Sequence, residues 1–439
     1  MRSAFRGVVC LLLLAVMGCH SSPGVPANPA IPAEAAAGIF QQAADLCGAE
    51  SGRLWGQSLC GPMLLADPAT LQAVLNQAAP GATADGGIFR LTLPAGTGVA
   101  NTSIDLHGTR WTMVMWPLPD DTTARHILLM HESYHRIQPS LGLVGGGGLG
   151  TNTHLDTRSG RVWLRAELHA LRSSLQSDGG ARQTALGDAL ALRAYRHSLW
   201  PSAPEQERAL ELNEGLAEST GIAAALPAAQ DRARAAIGDL VTHETDPSYV
   251  RSFAYATGAA YGELLTAADP AWHRRVTRDF DFGVAAAAAY RIPSPTPDAT
   301  AAEAALSRHD GATIVAEEDA RQGETEARNA RYAAMFVTGP TVTFPLGQMS
   351  ITFNPNTVKV FEDHGTVYGT LQITDTWGTL NVTSSAALVP PAWNQVTVPA
   401  SAMTSADHVA GDGWTATLNP GFALAPVPGS PGSLRAAAR

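Results

Sequence analysis

The chain has 439 residues, enough for two or three domains, and 45% of them are hydrophobic, which is ample for buried cores. Its formal net charge of −10 argues against a nucleic-acid partner, because nucleic-acid-binding proteins present a basic surface. A glycine-rich run, Gly145–Gly150, lacks the Lys–Ser/Thr pair of phosphate-binding loops, so we expect no nucleotide partner either. The run is a plain loop or a flap over a cleft, and we favour the loop.

The first residues predict export. A short basic start precedes the apolar run Gly7–Met17, which is too short to span a bilayer. The following letters, VMGC, end at Cys19 and resemble the bacterial lipobox, which implies cleavage before Cys19 and lipid attachment to it. An ordinary secretory signal is the alternative. We expect a signal peptide at 1–18, a flexible tether at 19–33, and a lipoprotein facing the periplasm, or an otherwise exported protein, with only a lipid contact to the membrane.

Two further cysteines predict a disulfide. Cys47 and Cys60 form an even pair outside the signal and the lipid site, as is common in oxidising compartments. They would close a loop of about 13 residues, which the chain-entropy model values at about 3 kcal/mol. Neither cysteine belongs to a CxxC pair, so we do not expect them to bind a metal.

The part from 34 to 118 is predicted to mix helices and strands. Glu34–Ala44 and Asp67–Ala79 are expected to be helices. Gly86–Leu93 and Thr102–Trp116 alternate in hydrophobicity and are rich in Val, Ile, Trp and Thr, which favours strands. A turn at His107–Thr109 would make the second segment a hairpin that leads almost directly into the next helix.

That helix carries the motif with the clearest chemistry, HExxH, at His131, Glu132 and His135. Acidic residues precede the helix and Pro139 ends it. Residues four apart share one helix face, so two imidazoles at this spacing can bind one Zn²⁺, and the adjacent glutamate can act as a general base. The alternative is an amphipathic helix that happens to carry two histidines.

A second segment supplies a third ligand. Leu212–Ala217 reads LNEGLA and resembles the LNEGFA segment of aminopeptidase N-type gluzincins, which implies that Glu214 is the third zinc ligand. Glu218 lies four residues on, similar to the ExxxD pattern of thermolysin-like enzymes. That resemblance implies that Glu218 orients His131 or His135. Gly221 is expected to close this helix.

The spacing departs from that family. Glu214 lies 214 − 135 = 79 positions after His135, farther than in the aminopeptidases, so additional helices must intervene. They are expected at Arg161–Arg172 and Ala181–Leu199. Glu167 lies on the first of them and is an alternative third ligand. We favour the other interpretation of Glu167, a surface or ion-paired glutamate between neighbouring arginines.

Gluzincins often donate a hydrogen bond to the developing oxyanion from a Tyr or His on a helix beyond the third ligand. By this resemblance Tyr255 and Tyr261, both in the helical segment Tyr249–Gly262, are candidates for that catalytic role. For each tyrosine the alternative is a core residue with a satisfied hydroxyl. In zincins an edge strand of the N-terminal sheet also pairs with the substrate, which implies this role for the strand ending at Trp116; a structural hairpin is the alternative.

The last part, 336–439, is predicted to be an all-β accessory domain, a small sandwich. Short alternating segments are separated by Pro, Gly, Asn and Asp. The expected strands are Val337–Phe344, Met349–Phe353, Thr357–Phe361, Thr366–Ile373, Gly378–Thr383 and Trp414–Leu418.

Together these features predict an α+β fold with a zincin-like catalytic domain at 34–335, of which 119–335 is the helical part. The pattern also resembles bacterial HExxH proteins known only as peptidase-like. The expected function is hydrolysis of peptide bonds in a peptide or protein substrate by a gluzincin-type zinc metallopeptidase, with Glu132 as general base. The alternative is a non-catalytic envelope-binding lipoprotein with a structural or vestigial metal site. An intact Glu132 argues against it, because a structural site needs no base.

Overall fold

The computed structural model describes residues 31–143, 152–294, 296–354, 357–400 and 408–439. Cys19 and the run Gly145–Gly150 lie outside these ranges. The chain divides into two compact units, with the division after Asp319. Across the described ranges, no helix has the length and apolar character needed to cross a membrane.

The first unit opens with a helix and a six-stranded sheet. The helix is α1 (Ala33–Glu50), and the sheet order is β3-β4-β2-β1-β6-β5, with β1 and β6 parallel and the other neighbours antiparallel. One face buries Leu64, Leu75 and Trp111 in a cluster of its own, while Leu65 and Val114 on the other face join the helical core. The strands are β1 (Met63–Ala66), β2 (Gln72–Leu75), β3 (Thr83–Asp85), β4 (Ile88–Thr92), β5 (Thr102–Leu106) and β6 (Thr109–Met115).

The predicted helix Asp67–Ala79 is wrong. The segment instead turns tightly and continues as β2, which pairs antiparallel with β1, a strand that the sequence analysis missed. Asp67 explains the turn: its carboxylate accepts from the Ala69 amide at 2.8 Å and from the Thr70 hydroxyl at 2.9 Å. Such a side-chain bond offers the backbone a turn in place of a helix.

The predicted disulfide is confirmed. Cys47 near the end of α1 is bonded to Cys60 in the segment before β1, with a Cα–Cα distance of 5.1 Å. The bond joins the first helix to the start of the sheet, and disulfides of this kind are typical of exported proteins.

A helical body follows the sheet. Its helices are α2 (Thr122–Ile137), α3 (Arg158–Leu175), α4 (Gly179–Leu199), α5 (Ala203–Leu210), α6 (Leu216–Ala225), α7 (Ala229–Glu244), α8 (Tyr249–Ala268), α9 (Phe282–Ala289), α10 (Ala299–Arg308) and α11 (Gly311–Ala333), the last of which contains the unit division. A π-helical turn, Glu211–Gly215, links α5 to α6. Short 3₁₀ turns lie at Gln138–Leu141, Thr153–Asp156 and Trp272–Arg275.

Gly221 was predicted to end its helix, and this prediction is wrong, because α6 continues to Ala225. The glycine serves close packing instead. A Cβ at this position would lie 2.8 Å from the Ile127 carbonyl oxygen on α2. The absence of a side chain therefore lets α6 approach α2, which brings the two predicted motif segments together.

The described part of the second unit is all-β apart from the end of α11, a π-helical turn at Ala334–Thr338 and a 3₁₀ turn at Glu362–His364. Two sheets, ordered β17-β18-β7-β14-β13-β10-β9 and β15-β16-β12-β11-β8, share an apolar core that includes Phe344 from one sheet and Trp414 from the other. Thr366–Ile373, predicted as one strand, is two, because the chain bends at Gly369 and Thr370. The strands are β7 (Thr341–Pro345), β8 (Ser350–Phe353), β9 (Val358–Phe361), β10 (Gly365–Tyr368), β11 (Leu371–Asp375), β12 (Gly378–Val382), β13 (Ala387–Val389), β14 (Gln395–Pro399), β15 (His408–Gly411), β16 (Trp414–Leu418), β17 (Phe422–Pro426) and β18 (Leu434–Ala438).

Candidate metal centre

Helix α2 places the HExxH residues on a buried face. Asp121 caps the helix by accepting from the Ala124 amide at 2.8 Å. The helix contains no proline, so its backbone hydrogen bonds are not interrupted. His131 and Glu132 are buried, at 4% and 3% exposure. The Nε2 atoms of His131 and His135 lie 3.2 Å apart, so both imidazoles point to one place.

The π-helical turn brings Glu214 to the same place. Its Oε2 lies 3.6 Å from His131 Nε2 and 3.4 Å from His135 Nε2. These three side chains are the one group of potential metal ligands found within the described part of the chain. Ligand atoms about 2.0–2.1 Å from a tetrahedral zinc lie about 3.3–3.4 Å from one another. The observed spacing therefore fits the donor set of a His₂Glu zinc site.

Each histidine also makes a hydrogen bond through Nδ1, the ring nitrogen that faces away from the cluster. His131 Nδ1 lies 2.7 Å from a Glu218 carboxylate oxygen, and His135 Nδ1 lies 2.9 Å from Gln138 Oε1. The Gln138 amide nitrogen donates to the carbonyls of Leu143 and Leu212, so its oxygen faces His135 and accepts from Nδ1–H. A neutral imidazole with its proton on Nδ1 presents a lone pair at Nε2, as a metal ligand must.

The charges around the cluster favour a cation. Burial opposes a charge on His131, but Glu214, Glu218 and Glu132 outweigh it and raise the pKa of His131 well above its usual range. Burial also disfavours ionised Glu214, yet the two histidines hold the pKa of Glu214 well below its usual range. The three carboxylates outnumber the one guanidinium paired with them among the described residues, that of Arg251 at Glu214, and a divalent cation would neutralise the remaining negative charge.

Glu132 lies beside the cluster, and its two carboxylate oxygens differ in their surroundings. Its Oε1 is 3.9 Å from His131 Nε2, and its Oε2 is buried with no hydrogen-bond partner in the described ranges. Burial raises the pKa of the Glu132 carboxyl. A raised pKa makes a carboxylate a stronger base, and the free oxygen is available to a reacting water.

Helix α8 contributes two residues on one face, Arg251 and Tyr255. Arg251 donates to Glu214 Oε1 at 3.0 Å, which leaves Oε2 facing the histidines. The Tyr255 ring stacks on the His131 ring with a centroid distance of 5.7 Å and an angle of 6° between planes. Burial, together with the neighbouring Glu214 carboxylate, raises the pKa of Tyr255, so its hydroxyl stays a neutral donor.

Two predicted site residues lie elsewhere. The Tyr261 hydroxyl donates to Glu167 at 2.8 Å, and Glu167 also pairs with Arg196 at 2.5 Å; all three side chains are fully buried. The structure therefore does not bring Tyr261 or Glu167 to the candidate ligand cluster of His131, His135 and Glu214. Glu167 is ion-paired as expected, but in the core of the helical body and with Arg196 rather than its sequence neighbours.

The cluster lies at the base of a cleft of about 680 Å³. One wall is β5, the edge strand of the sheet, with Thr102 and Ser103 lining the cleft. The edge position was predicted for the strand ending at Trp116, but that strand is β6, which pairs with β1 on one side and β5 on the other. The hairpin turn was predicted correctly, so the error concerns only which arm faces outward.

Three residues near the cluster were missed. Gln138 had a usable signal, since it lies three residues after His135 on the same helix face. Arg251 lies four residues before Tyr255, which also places it on that tyrosine's face. Asp239 on α7 had no such signal: it lines the cleft, its Oδ2 lacks a hydrogen-bond partner in the described ranges, and burial beside Glu218 raises its pKa to about 8.

Glycines let α8 pack directly on the π-helical turn, which gives a stability prediction. A Cβ on Gly258 would lie 2.2 Å from the Gly215 Cα, so Gly258→Ala forces backbone to move. We expect it to lower the free energy of unfolding by about 1–3 kcal/mol. Gly238→Ala on α7 is the matched control, because nothing lies within 4 Å of its Cβ position; it should stabilise by about 0.5–1 kcal/mol. Denaturant unfolding of both variants checks this, and equal stabilities would contradict the packing argument.

Comparison with known proteins adds no further assignment: no protein-family model, curated protein or solved structure matches this chain.

Proposed function

We propose that the protein is an exported, lipid-anchored zinc metallopeptidase of the gluzincin type that hydrolyses peptide bonds. His131, His135 and Glu214 hold the zinc, and Glu132 is the general base. The observation that carries the proposal is the convergence of two imidazole nitrogens and one carboxylate oxygen at 3.2–3.6 Å. Beside them lies the buried Glu132, whose Oε2 has no hydrogen-bond partner among the described residues. Lipidation of Cys19 is the anchoring part of the proposal, and export is supported by the Cys47–Cys60 disulfide.

Each residue of the site has a separate role in the proposed hydrolysis. When bound, zinc supplies Lewis-acid polarisation of the scissile carbonyl and makes the attacking water more acidic. The free carboxylate oxygen of Glu132 takes the proton from that water and then delivers it to the leaving amine nitrogen, so the carboxylate is regenerated. Glu218 and Gln138 keep the two imidazoles oriented through their Nδ1 atoms.

The edge strand supports a peptide substrate. β5 pairs with β6 on one side, and its other side is the end of the sheet in the strand order. An extended peptide can add to such an edge through backbone hydrogen bonds. These bonds do not depend on which side chains the peptide carries. Because Thr102 and Ser103 of β5 line the cleft that contains Glu132, a peptide paired there would pass over the catalytic group.

Tyr255 is proposed to donate to the oxyanion that forms in the transition state. It is the predicted tyrosine that lies at the cluster, and its raised pKa keeps the proton on the hydroxyl. We expect Tyr255→Phe to reduce kcat by about 10²–10³-fold, the usual effect of losing one oxyanion donor. Tyr261→Phe is the control and should leave kcat within a few-fold. Equal effects on kcat would remove Tyr255 from this role.

The competing candidate is a non-catalytic binding lipoprotein with a structural metal. Structural zinc sites are closed by four protein ligands, whereas the described residues offer three, which leaves a position open. The deciding experiment is cleavage of a peptide library by the zinc-loaded protein and by the chelated protein. We expect cleavage only with zinc. A protein that binds zinc and cleaves no peptide would favour the binding function.

A further inference from the structure

The helix that carries Glu214 changes register just before it. In the π-helical turn Glu211–Gly215, the Leu216 amide donates to the Glu211 carbonyl five residues back, in place of the usual four. Such a turn contains one more residue than an α-helical turn. Each residue rotates an α-helix by about 100°, so residues before and after the π-helical turn are offset by about that angle.

The offset divides a stripe of glutamates. Four glutamates at spacings of four, three and four would fall within about 60° of one another on an uninterrupted α-helix; they are Glu207, Glu211, Glu214 and Glu218. In the structure the first two face the arginines of α4 and the last two face the histidines of α2. The π-helical turn is what separates the two pairs.

A buried network holds the turn at its first residue. Glu211 is 1% exposed, and Arg193 donates to its two carboxylate oxygens at 2.9 and 2.6 Å. The Thr257 hydroxyl on α8 donates to the same carboxylate at 2.8 Å. All three side chains are buried. The Arg193 guanidinium also lies 3.6 Å from a Glu167 carboxylate oxygen. The position of Glu211 is thus fixed from two helices, α4 and α8.

We propose that Arg193 and Thr257, acting through Glu211, are positioning residues that hold the π-helical turn in the register in which Glu214 meets His131 and His135. The inference rests on the proposed function, because it concerns the zinc that these ligands would hold. Without the network the segment is free to close into an α-helical turn. Glu214 then rotates away from the histidines, and zinc affinity falls although no ligand has been changed.

A double substitution removes both members of the Arg193–Glu211 pair, so neither is left buried without the other. Asp281, with a side chain 20% exposed, loses its contact with Arg193 at 3.7 Å, and Glu167 keeps Arg196. Arg193→Met with Glu211→Leu replaces both partners by apolar side chains, a change that buried ion pairs often tolerate. The matched control is Arg161→Met with Glu318→Leu, a buried pair between α3 and α11 at 2.9 Å whose members do not line the cleft. Zinc Kd is measured by competition titration of the full protein, together with the Co²⁺ absorption spectrum and thermal unfolding.

We expect the Arg193/Glu211 double variant to bind zinc about 10–100-fold more weakly, the usual effect of losing residues that orient ligands. Its Co²⁺ spectrum should shift toward that of Glu214→Ala, which a merely structural role would not cause. The control should keep the wild-type Kd and spectrum. A folded double variant with the wild-type Kd overturns the inference while leaving the proposed function intact, and a wild type that binds no zinc overturns both.

A milder variant keeps the test decisive if the double variant does not fold. Thr257→Val removes only the hydroxyl that holds Glu211 and keeps the side-chain shape. We expect a zinc Kd weaker by on the order of tenfold, with the melting temperature close to that of the wild type. Unchanged zinc binding in Thr257→Val would then refute the positioning role.

Discussion

Glu132→Gln should abolish nearly all hydrolysis while leaving zinc in place. Glu132 is not among the three clustered ligands, and its Oε2 has no hydrogen-bond partner in the described ranges, so an amide of the same shape breaks no observed hydrogen bond and changes only the 3.9 Å contact with His131. The amide cannot accept a proton from water. General acid–base assistance is worth about 10²–10⁴-fold, so kcat should fall by at least about two orders of magnitude at a similar KM.

Single-turnover kinetics on a peptide that the wild type cleaves, with zinc content determined on the same sample, would check this. Ser133→Ala is a useful neighbour control: its hydroxyl only donates back to the Leu129 carbonyl at 2.7 Å, so kcat should stay near that of the wild type. Wild-type kcat in a zinc-loaded Glu132→Gln variant would remove Glu132 from the mechanism.

Glu214→Ala should mainly weaken zinc binding, whereas Glu167→Ala should mainly lower the free energy of unfolding. Glu214 faces both histidines, so its loss should weaken zinc binding by more than the ~10–100-fold that is usual for losing a residue that only orients a ligand, with little loss of fold. Glu167 pairs with Arg196, and both are fully buried, so its loss leaves a guanidinium short of a partner in the core. We expect Glu167→Ala to cost about 3–5 kcal/mol of the free energy of unfolding, a large part of a typical total, and to keep zinc affinity in the folded fraction.

Zinc titration and denaturant unfolding of the two variants separate the assignments. If Glu167→Ala strips the zinc and Glu214→Ala does not, the third ligand is on α3 and the observed cluster is not the metal site. If both variants lose stability but neither loses zinc, the HExxH histidines bind the metal without a glutamate.

Local patterns predicted the parts of the site that depend on one helix. The spacing of His131 and His135 and the spacing of Glu214 and Glu218 each follow from residues four apart on one face, and both pairs lie where expected. The strand hairpin before α2 was also predictable, because its alternation and turn are local.

Tertiary packing decided what the sequence could not. Tyr255 and Tyr261 are six residues apart, about 240° around α8, so only one of them can face the cluster, and the sequence alone does not say which. The register change at Glu211–Gly215 could not be predicted from the spacing of the glutamates either, because that spacing places all four on one face of an uninterrupted α-helix. The error at Asp67–Ala79 is different: the Asp67 turn is local and its Asp-Pro letters were a usable signal.

The most direct measurement of the central claim is the zinc content of the purified protein after reconstitution and removal of loosely bound metal. Elemental analysis should give one Zn²⁺ per chain for the wild type, and close to none for His131→Ala and for His135→Ala, both of which should remain folded by circular dichroism. A wild-type protein without zinc, or histidine variants that keep it, would contradict the account.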